Sequence, residues 1–138
     1  MNNINFLEII EGDTILKDLQ AQFKDNSNLV ICDKSAFESA ILAQKNAYYE
    51  EIEECAAGYI RSIVQNHPLI DGNKRFALHV ATNFLDINGY RLTATSKTEW
   101  GEYIETYVAS ISSRNSPEAI QTAHRELVLK IKKYMKPR

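Results

Sequence analysis

The sequence predicts an all-α bundle with one small extended element, and three observations carry that expectation. Breakers are scarce, with five glycines and three prolines in 138 residues, so long helices go uninterrupted. Apolar residues recur at helical spacing along most of the chain. One compact β-branched run, Leu29-Val30-Ile31-Cys32, is the exception. The length is that of one domain, residues 1–138, able to bury a core without disulfides or a structural metal.

Element by element, a first amphipathic helix is expected from about Thr14 to Lys24, with Ile15, Leu16, Leu19 and Phe23 on one side. Asp25-Asn26-Ser27-Asn28 stops it. The Leu29–Cys32 run reads as a strand or part of a hairpin. Asp33 is an N-cap residue for a helix from Lys34 to about Lys45 that buries Phe37, Ala40 and Ile41. A third helix is expected from Tyr49 to Gln65, with glutamates crowded at its start where the helix dipole favours them. His67-Pro68 ends it, because proline pushes the preceding residue out of the α region. Asp71-Gly72-Asn73 is turn chemistry. A fourth helix starts near Asn73, with Ala77, Val80, Ala81, Phe84 and Leu85 as its core face and Asn88-Gly89 as its stop. Further helices are expected over Lys97 to Ser110 and Pro117 to Tyr134.

Composition excludes several classes. A net charge of −2 supplies no overall positive field, which disfavours nucleic acid as partner. Cys32 and Cys55 form neither a disulfide framework nor a zinc ligand set, so both are expected to be reduced, buried thiols. No run approaches the roughly 18 apolar residues of a membrane span, and the first residues lack the basic and apolar regions of a signal peptide. The expectation is a cytoplasmic protein without a membrane partner.

The chemistry concentrates in His67-Pro68-Leu69-Ile70-Asp71-Gly72-Asn73-Lys74-Arg75. A histidine at a helix end can take a proton near neutral pH. Asp71 is a hard oxygen ligand suited to magnesium. Gly72 lets the backbone come close to an anion. Asn73 opens a helix, whose first N–H groups and dipole form an anion site. Lys74 and Arg75 add cations, and arginine can hold phosphate bidentately. Phosphate-directed group transfer uses all of these together.

This segment resembles the signature of the Fic/Doc (death-on-curing) family, His-Pro-Phe-x-(Asp/Glu)-Gly-Asn-(Gly/Lys)-Arg. Asp33 to Leu42 is similar to the family helix that precedes it, and the likeness covers roughly residues 28–110. The resemblance implies a Fic/Doc helical bundle with a short β-hairpin flap near residues 28–33. It implies that His67 is the general base for a target hydroxyl and that Asp71 coordinates Mg²⁺. The backbone of Gly72 and Asn73 would form an anion hole, with Asn73 and Arg75 on phosphates. Leu29, Val30, Ile31 and Cys32 would be the flap that docks the target.

Lys74 stands where family members that transfer AMP usually carry Gly and Doc-type members carry Lys. The implication is a Doc-like toxin that moves the γ-phosphoryl group of ATP onto a protein hydroxyl, with a translation factor as the target class. Gly72 points the other way, because AMP-transferring members have Gly there and the Doc prototype has Ala. AMP transfer is therefore the alternative, beside a degenerate module that binds without turnover. Leu69 replaces the usual Phe, Phe76 a common Thr, and Cys32 an Arg often found before Asp33. The family's internal inhibitory pattern is absent, since Leu7 occupies the position that would need Ser or Thr before Glu11-Gly12, so a separate antitoxin is implied.

Elsewhere, His79 shares a helix face with Arg75 and is expected at the surface, as is His124. Tyr48, Tyr49, Trp100 and Tyr103 are expected to pack. Lys130, Lys132, Lys133, Lys136 and Arg138 are expected to form a solvated basic tail.

Overall fold

The computed structural model describes residues 3–24, 28–47, 49–93 and 97–138. Six α-helices dominate it: α1 (Ile9–Gln22), α2 (Lys34–Leu42), α3 (Ile52–Asn66), α4 (Asn73–Ile87), α5 (Lys97–Ser110) and α6 (Pro117–Tyr134). A 3-10 turn, Ala43–Asn46, follows α2. Strands β1 (Tyr90–Leu92) and β2 (Met135–Pro137) pair antiparallel, Arg91 opposite Lys136.

α3 is the central element. Its six consecutive residues Cys55 to Ile60 are all buried, as befits a helix covered on every side. It packs most extensively against α4, then against α6 and α2. Gly58 allows the approach of the 3-10 turn, because a Cβ there would sit 2.3 Å from Gln44 Oε1. α4 contributes Phe76, Ala77, Val80, Ala81, Phe84 and Leu85 to the same core, and α6 contributes Leu127 and Ile131.

Several boundaries differ from the sequence expectation. α1 begins five residues earlier than Thr14, because Glu8 and Glu11 form a capping box built from two glutamates in place of the usual Ser or Thr start. α3 begins at Ile52 through the equivalent pair Glu51 and Glu54. α2 ends at Leu42 and tightens into the 3-10 turn instead of running to Lys45. The bounds of α5 and α6 and the start of α4 agree with expectation. Residues 25–27, the expected stop of the first helix, and Tyr48 lie outside the described residues.

The expected β-hairpin at residues 28–33 takes another form. Its described residues make one isolated antiparallel bridge, Ile31 to Leu69, so the extended run pairs with the α3–α4 loop. The chain's two-stranded sheet lies at β1 and β2. There the end of the chain folds back onto α4: Arg138 N–H donates to Gly89 O and its guanidinium meets the Asp86 carboxylate at 3.3 Å. Lys130 lies over the rings of Trp100, Tyr103 and Tyr134. The basic run is therefore partly engaged, and does not form the wholly solvated tail expected. No helix among the described residues is long and apolar enough to cross a membrane.

Candidate active site

The site is built on the turn between α3 and α4. α3 ends at His67, whose φ of 51° is left-handed, the only such non-glycine residue among those described. Histidine tolerates this region better than most residues, at a cost of about 1 kcal/mol. Pro68 then carries the chain out in extended form. The left-handed residue turns the backbone sharply, so the imidazole stands at the surface while Pro68 and Leu69 are buried behind it.

Two devices hold the loop. The first is the 28–33 segment. Cys32 N–H donates to Pro68 O at 2.9 Å, Ile70 N–H to Val30 O at 3.1 Å and Asp71 N–H to Asn28 O at 3.0 Å. The second is Asn73, only 6% exposed. Its Oδ1 accepts from Leu69 N–H at 2.9 Å and its Nδ2 donates to Leu69 O at 3.0 Å. In the Ile31–Leu69 bridge the two residues' own N–H and C=O groups point away from each other. The Asn73 amide therefore plays the part of a further strand for Leu69.

Gly72 is the N-cap of α4 with φ of 82°, a conformation glycine alone adopts without strain. Space demands glycine as well, since a Cβ would lie 2.3 Å from Leu29 Cδ2 and Leu29 is fully buried. Gly72 N–H donates to Asp71 Oδ1 at 2.8 Å. The first turn of α4 points its backbone N–H groups out of the helix end, and this end also carries the positive pole of the dipole. Phe76 N–H makes the first intrahelical bond, to Gly72 O.

His67, Asp71, Gly72, Asn73, Lys74 and Arg75 line one cleft of about 340 Å³, closed by Val64 and Val108. A larger cleft of about 690 Å³ shares Lys74 and Arg75 and continues between α4 and α5 past Leu78, His79, Trp100 and Ile104. The Arg75 guanidinium lies 3.9 Å from the centre of the Phe23 ring, which holds it at the junction of the two clefts. Lys74 Nζ is 3.6 Å from Glu105 Oε1, both exposed. An imidazole, a carboxylate, a helix N-terminus and two cations thus line one space.

The motif residues His67, Asp71, Gly72, Asn73, Lys74 and Arg75 are brought together as the sequence suggested. The Asn73 side chain, however, is committed to Leu69, so what it offers an anion is its backbone. Of the flap residues, Leu29 is core, Ile31 is half-buried, and Val30 and Cys32 face outward. Cys32 is thus an exposed thiol, contrary to expectation; its Sγ lies 3.4 Å from Pro68 O. Cys55 is buried as expected, and burial pushes its thiol up to about 12.

His79 is half-buried and lines the larger cleft beside Arg75. His124 is not a surface residue: it is half-buried against α5, with Nδ1 2.8 Å from the Tyr107 hydroxyl. Burial, then the Arg61 charge, lowers its pKa to about 4, and burial raises that of Tyr107. Both shifts favour a neutral ring beside a protonated tyrosine hydroxyl, joined by one hydrogen bond. Phe23 is the participant whose role the sequence left unassigned, since i-to-j stacking across 52 positions leaves no local pattern.

The family described as Fic/DOC family matches residues 7–85 of this chain. Toxin Doc of Mycolicibacterium smegmatis is 39% identical over 62 residues, which are 45% of this chain and 48% of that relative. The chain thus spans about half the length of the curated relative it matches.

Proposed function

The chain belongs to the Fic/DOC family, and from that premise we propose that it is a Doc-like toxin that transfers the γ-phosphoryl group of ATP to a hydroxyl side chain of a protein. The observation that carries this reading is the single cleft in which His67 faces Asp71, Lys74, Arg75 and the start of α4. In the proposed step, His67 takes the proton of the target hydroxyl while its oxygen bonds to the γ-phosphorus. The bond from that phosphorus to the β,γ-bridging oxygen breaks, and ADP leaves. The α4 N-terminus, Lys74 and Arg75 stabilise the charge on the phosphoryl oxygens.

Magnesium fits the residues present. No group of three or more His, Cys, Asp or Glu that could cage a metal occurs among the described residues. Mg²⁺ is commonly held by one or two carboxylates together with substrate phosphates. Asp71 is the carboxylate that would hold it here, and the ion would neutralise phosphate charge. The larger cleft falls within the size range of small-molecule sites and offers room for the nucleoside.

Lys74 favours the phosphoryl over the AMP reading, because its side chain lines the small cleft and takes space an extra phosphate would need. Gly72 favours AMP transfer and supports the second reading, in which the nucleotide lies the other way round. The segment 28–33 would dock the target, with a component of translation as the target class. A separate antitoxin would hold the enzyme inactive, and the cytoplasm would be its place of action.

The test is intact-mass analysis of proteins in a bacterial lysate after incubation with this protein, ATP and Mg²⁺. One added phosphoryl group on a protein is the expected product. One added AMP would replace this reading by the second. No added mass, alongside an active control transferase, would overturn both.

A further inference from the structure

We propose that Glu105 is a positioning residue for the nucleotide: it holds the Lys74 ammonium while the cleft is empty and yields it to phosphate when ATP binds. This rests on the transferase reading above and deepens it by naming what tunes the grip on the nucleotide.

Both partners project from fixed backbone. Lys74 follows buried Asn73 in the first turn of α4, with buried Phe76 two positions on. Glu105 lies on α5 between buried Ile104 and Tyr107. The two side chains meet at the larger cleft, where Lys74 Nζ is 3.6 Å from Glu105 Oε1. That separation is an ion pair without a short hydrogen bond. The side chains are 49% and 70% exposed. A loose, exposed pair of this kind contributes little to stability. The fold therefore does not depend on it, and either partner is free to exchange.

Its place gives the pair a consequence for the anion site. Lys74 lines both clefts, whereas Glu105 lines only the larger one. The charged side chains of the small cleft are Asp71, Lys74 and Arg75, beside a neutral His67. With Lys74 free, these walls carry a net positive charge; with Lys74 neutralised by Glu105, they carry none. Arg75 differs from Lys74 in kind. Its partner is the Phe23 ring at 3.9 Å, which leaves the guanidinium charge on offer to a ligand. The site thus has one cation held open and one shared with a carboxylate.

Phosphate bound at the start of α4 carries more negative charge than a carboxylate and is favoured there by the helix dipole. It takes Lys74 from Glu105. The freed carboxylate then faces bound phosphate across the same junction, and like charges at that range repel. Both effects weaken ATP binding, and the ion pair closes again as ADP leaves. Glu102, one turn earlier on α5, lines the same cleft with the same charge, but Glu105 is the one paired with Lys74.

The test is calorimetric titration of the full chain with ATP and Mg²⁺, a binding readout that does not require transfer. Glu105→Gln keeps the side-chain size and removes the charge. It is expected to bind ATP roughly three- to fivefold more tightly than the parent at low salt. The gain should fall below about twofold at roughly 0.5 M salt, where exposed charges are screened. The melting temperature should stay at the parental value. Glu102→Gln should give a smaller gain, and Glu105→Gln in a Lys74→Met background should give almost none. ATP binding that is unchanged or weaker in Glu105→Gln, or an equal gain from Glu102→Gln, would overturn the role of Glu105 and leave the transferase standing. So would the full gain persisting without Lys74. ATP binding to none of these proteins would sink the ATP-dependent transferase reading and this inference with it.

Discussion

The two histidines His67 and His124 occupy opposite kinds of environment. His67 caps a helix in a left-handed conformation, stands at the surface and faces a cleft of charged groups. His124 lies mid-helix, half-buried, bonded to Tyr107 and kept neutral by its surroundings. The loop around the first spends backbone strain and a buried amide to hold polar groups out in the open. The interior around the second satisfies a polar pair in order to bury it. A functional imidazole needs access, whereas a structural one needs a partner.

Substitutions at four positions would break or sharpen that contrast. The largest effect is expected at His67. His67→Ala should lower the transfer rate by roughly 10²- to 10⁴-fold with little change in melting temperature. A large fall in melting temperature would instead place His67 with the structural residues. His124→Gln should do the reverse, leaving transfer near the parental rate.

Asn73→Ala comes next. It strips both bonds from Leu69, whose N–H and C=O are buried. The expected loss is about 2–3 kcal/mol in chemical denaturation, together with reduced transfer because the loop is no longer braced. Unchanged stability would mean that water or a neighbour replaces the amide.

The pH response of His124 ranks third. Its pKa falls from an ordinary 6.5 to about 4 in the folded chain, so between these values the unfolded chain binds more protons. Stability from this group is complete above pH 6.5 and is lost as pH falls toward 4. The loss is about 2 kcal/mol, less than full linkage would give because water still reaches the ring. His124→Gln should lack this component of the decline, as read by melting temperature against pH. Identical slopes in parent and variant would remove His124 from the account.

Phe23→Ala should have the smallest effect. The stacked ring positions Arg75 at 3.9 Å, an interaction of about 0.5–1 kcal/mol at such sites. The KM for ATP should rise about two- to fivefold while kcat holds, and Phe23→Tyr should restore it.

The same contrast explains what was legible in the sequence. The His67–Arg75 segment is contiguous, and its turn and cap chemistry is local, so both its place between helices and its convergence on one cleft could be read directly. The helices with apolar periodicity and ordinary stops, α4, α5 and α6, were legible too. α1 and α3 start on paired glutamates, a cap that side-chain preference ranks low, and their first turns were misplaced. Strands β1 and β2 are three residues each and about forty positions apart. β2 carries no alternating pattern of its own, so nothing local announced it. The expected hairpin became a bridge to residues nearly forty positions on. The Tyr107–His124 pair, the Phe23–Arg75 stack and the engagement of Asn73 with Leu69 depend on which surfaces meet in three dimensions. Cys32 was misread because a cysteine outside any disulfide or metal set is ordinarily buried, whereas alternation along the segment turns it outward.

The most direct test of the central claim, that this loop directs the terminal phosphoryl group to a hydroxyl beside His67, is a transfer assay with position-labelled ATP. One reaction carries the label on the γ-phosphate and the other on the α-phosphate, each with the parent protein and with His67→Ala. Label passing to protein from the γ-position alone, and only with the parent, is the predicted result. Label from the α-position would contradict the orientation assigned to Lys74, and γ-label transferred equally by His67→Ala would contradict the role of His67 as the base.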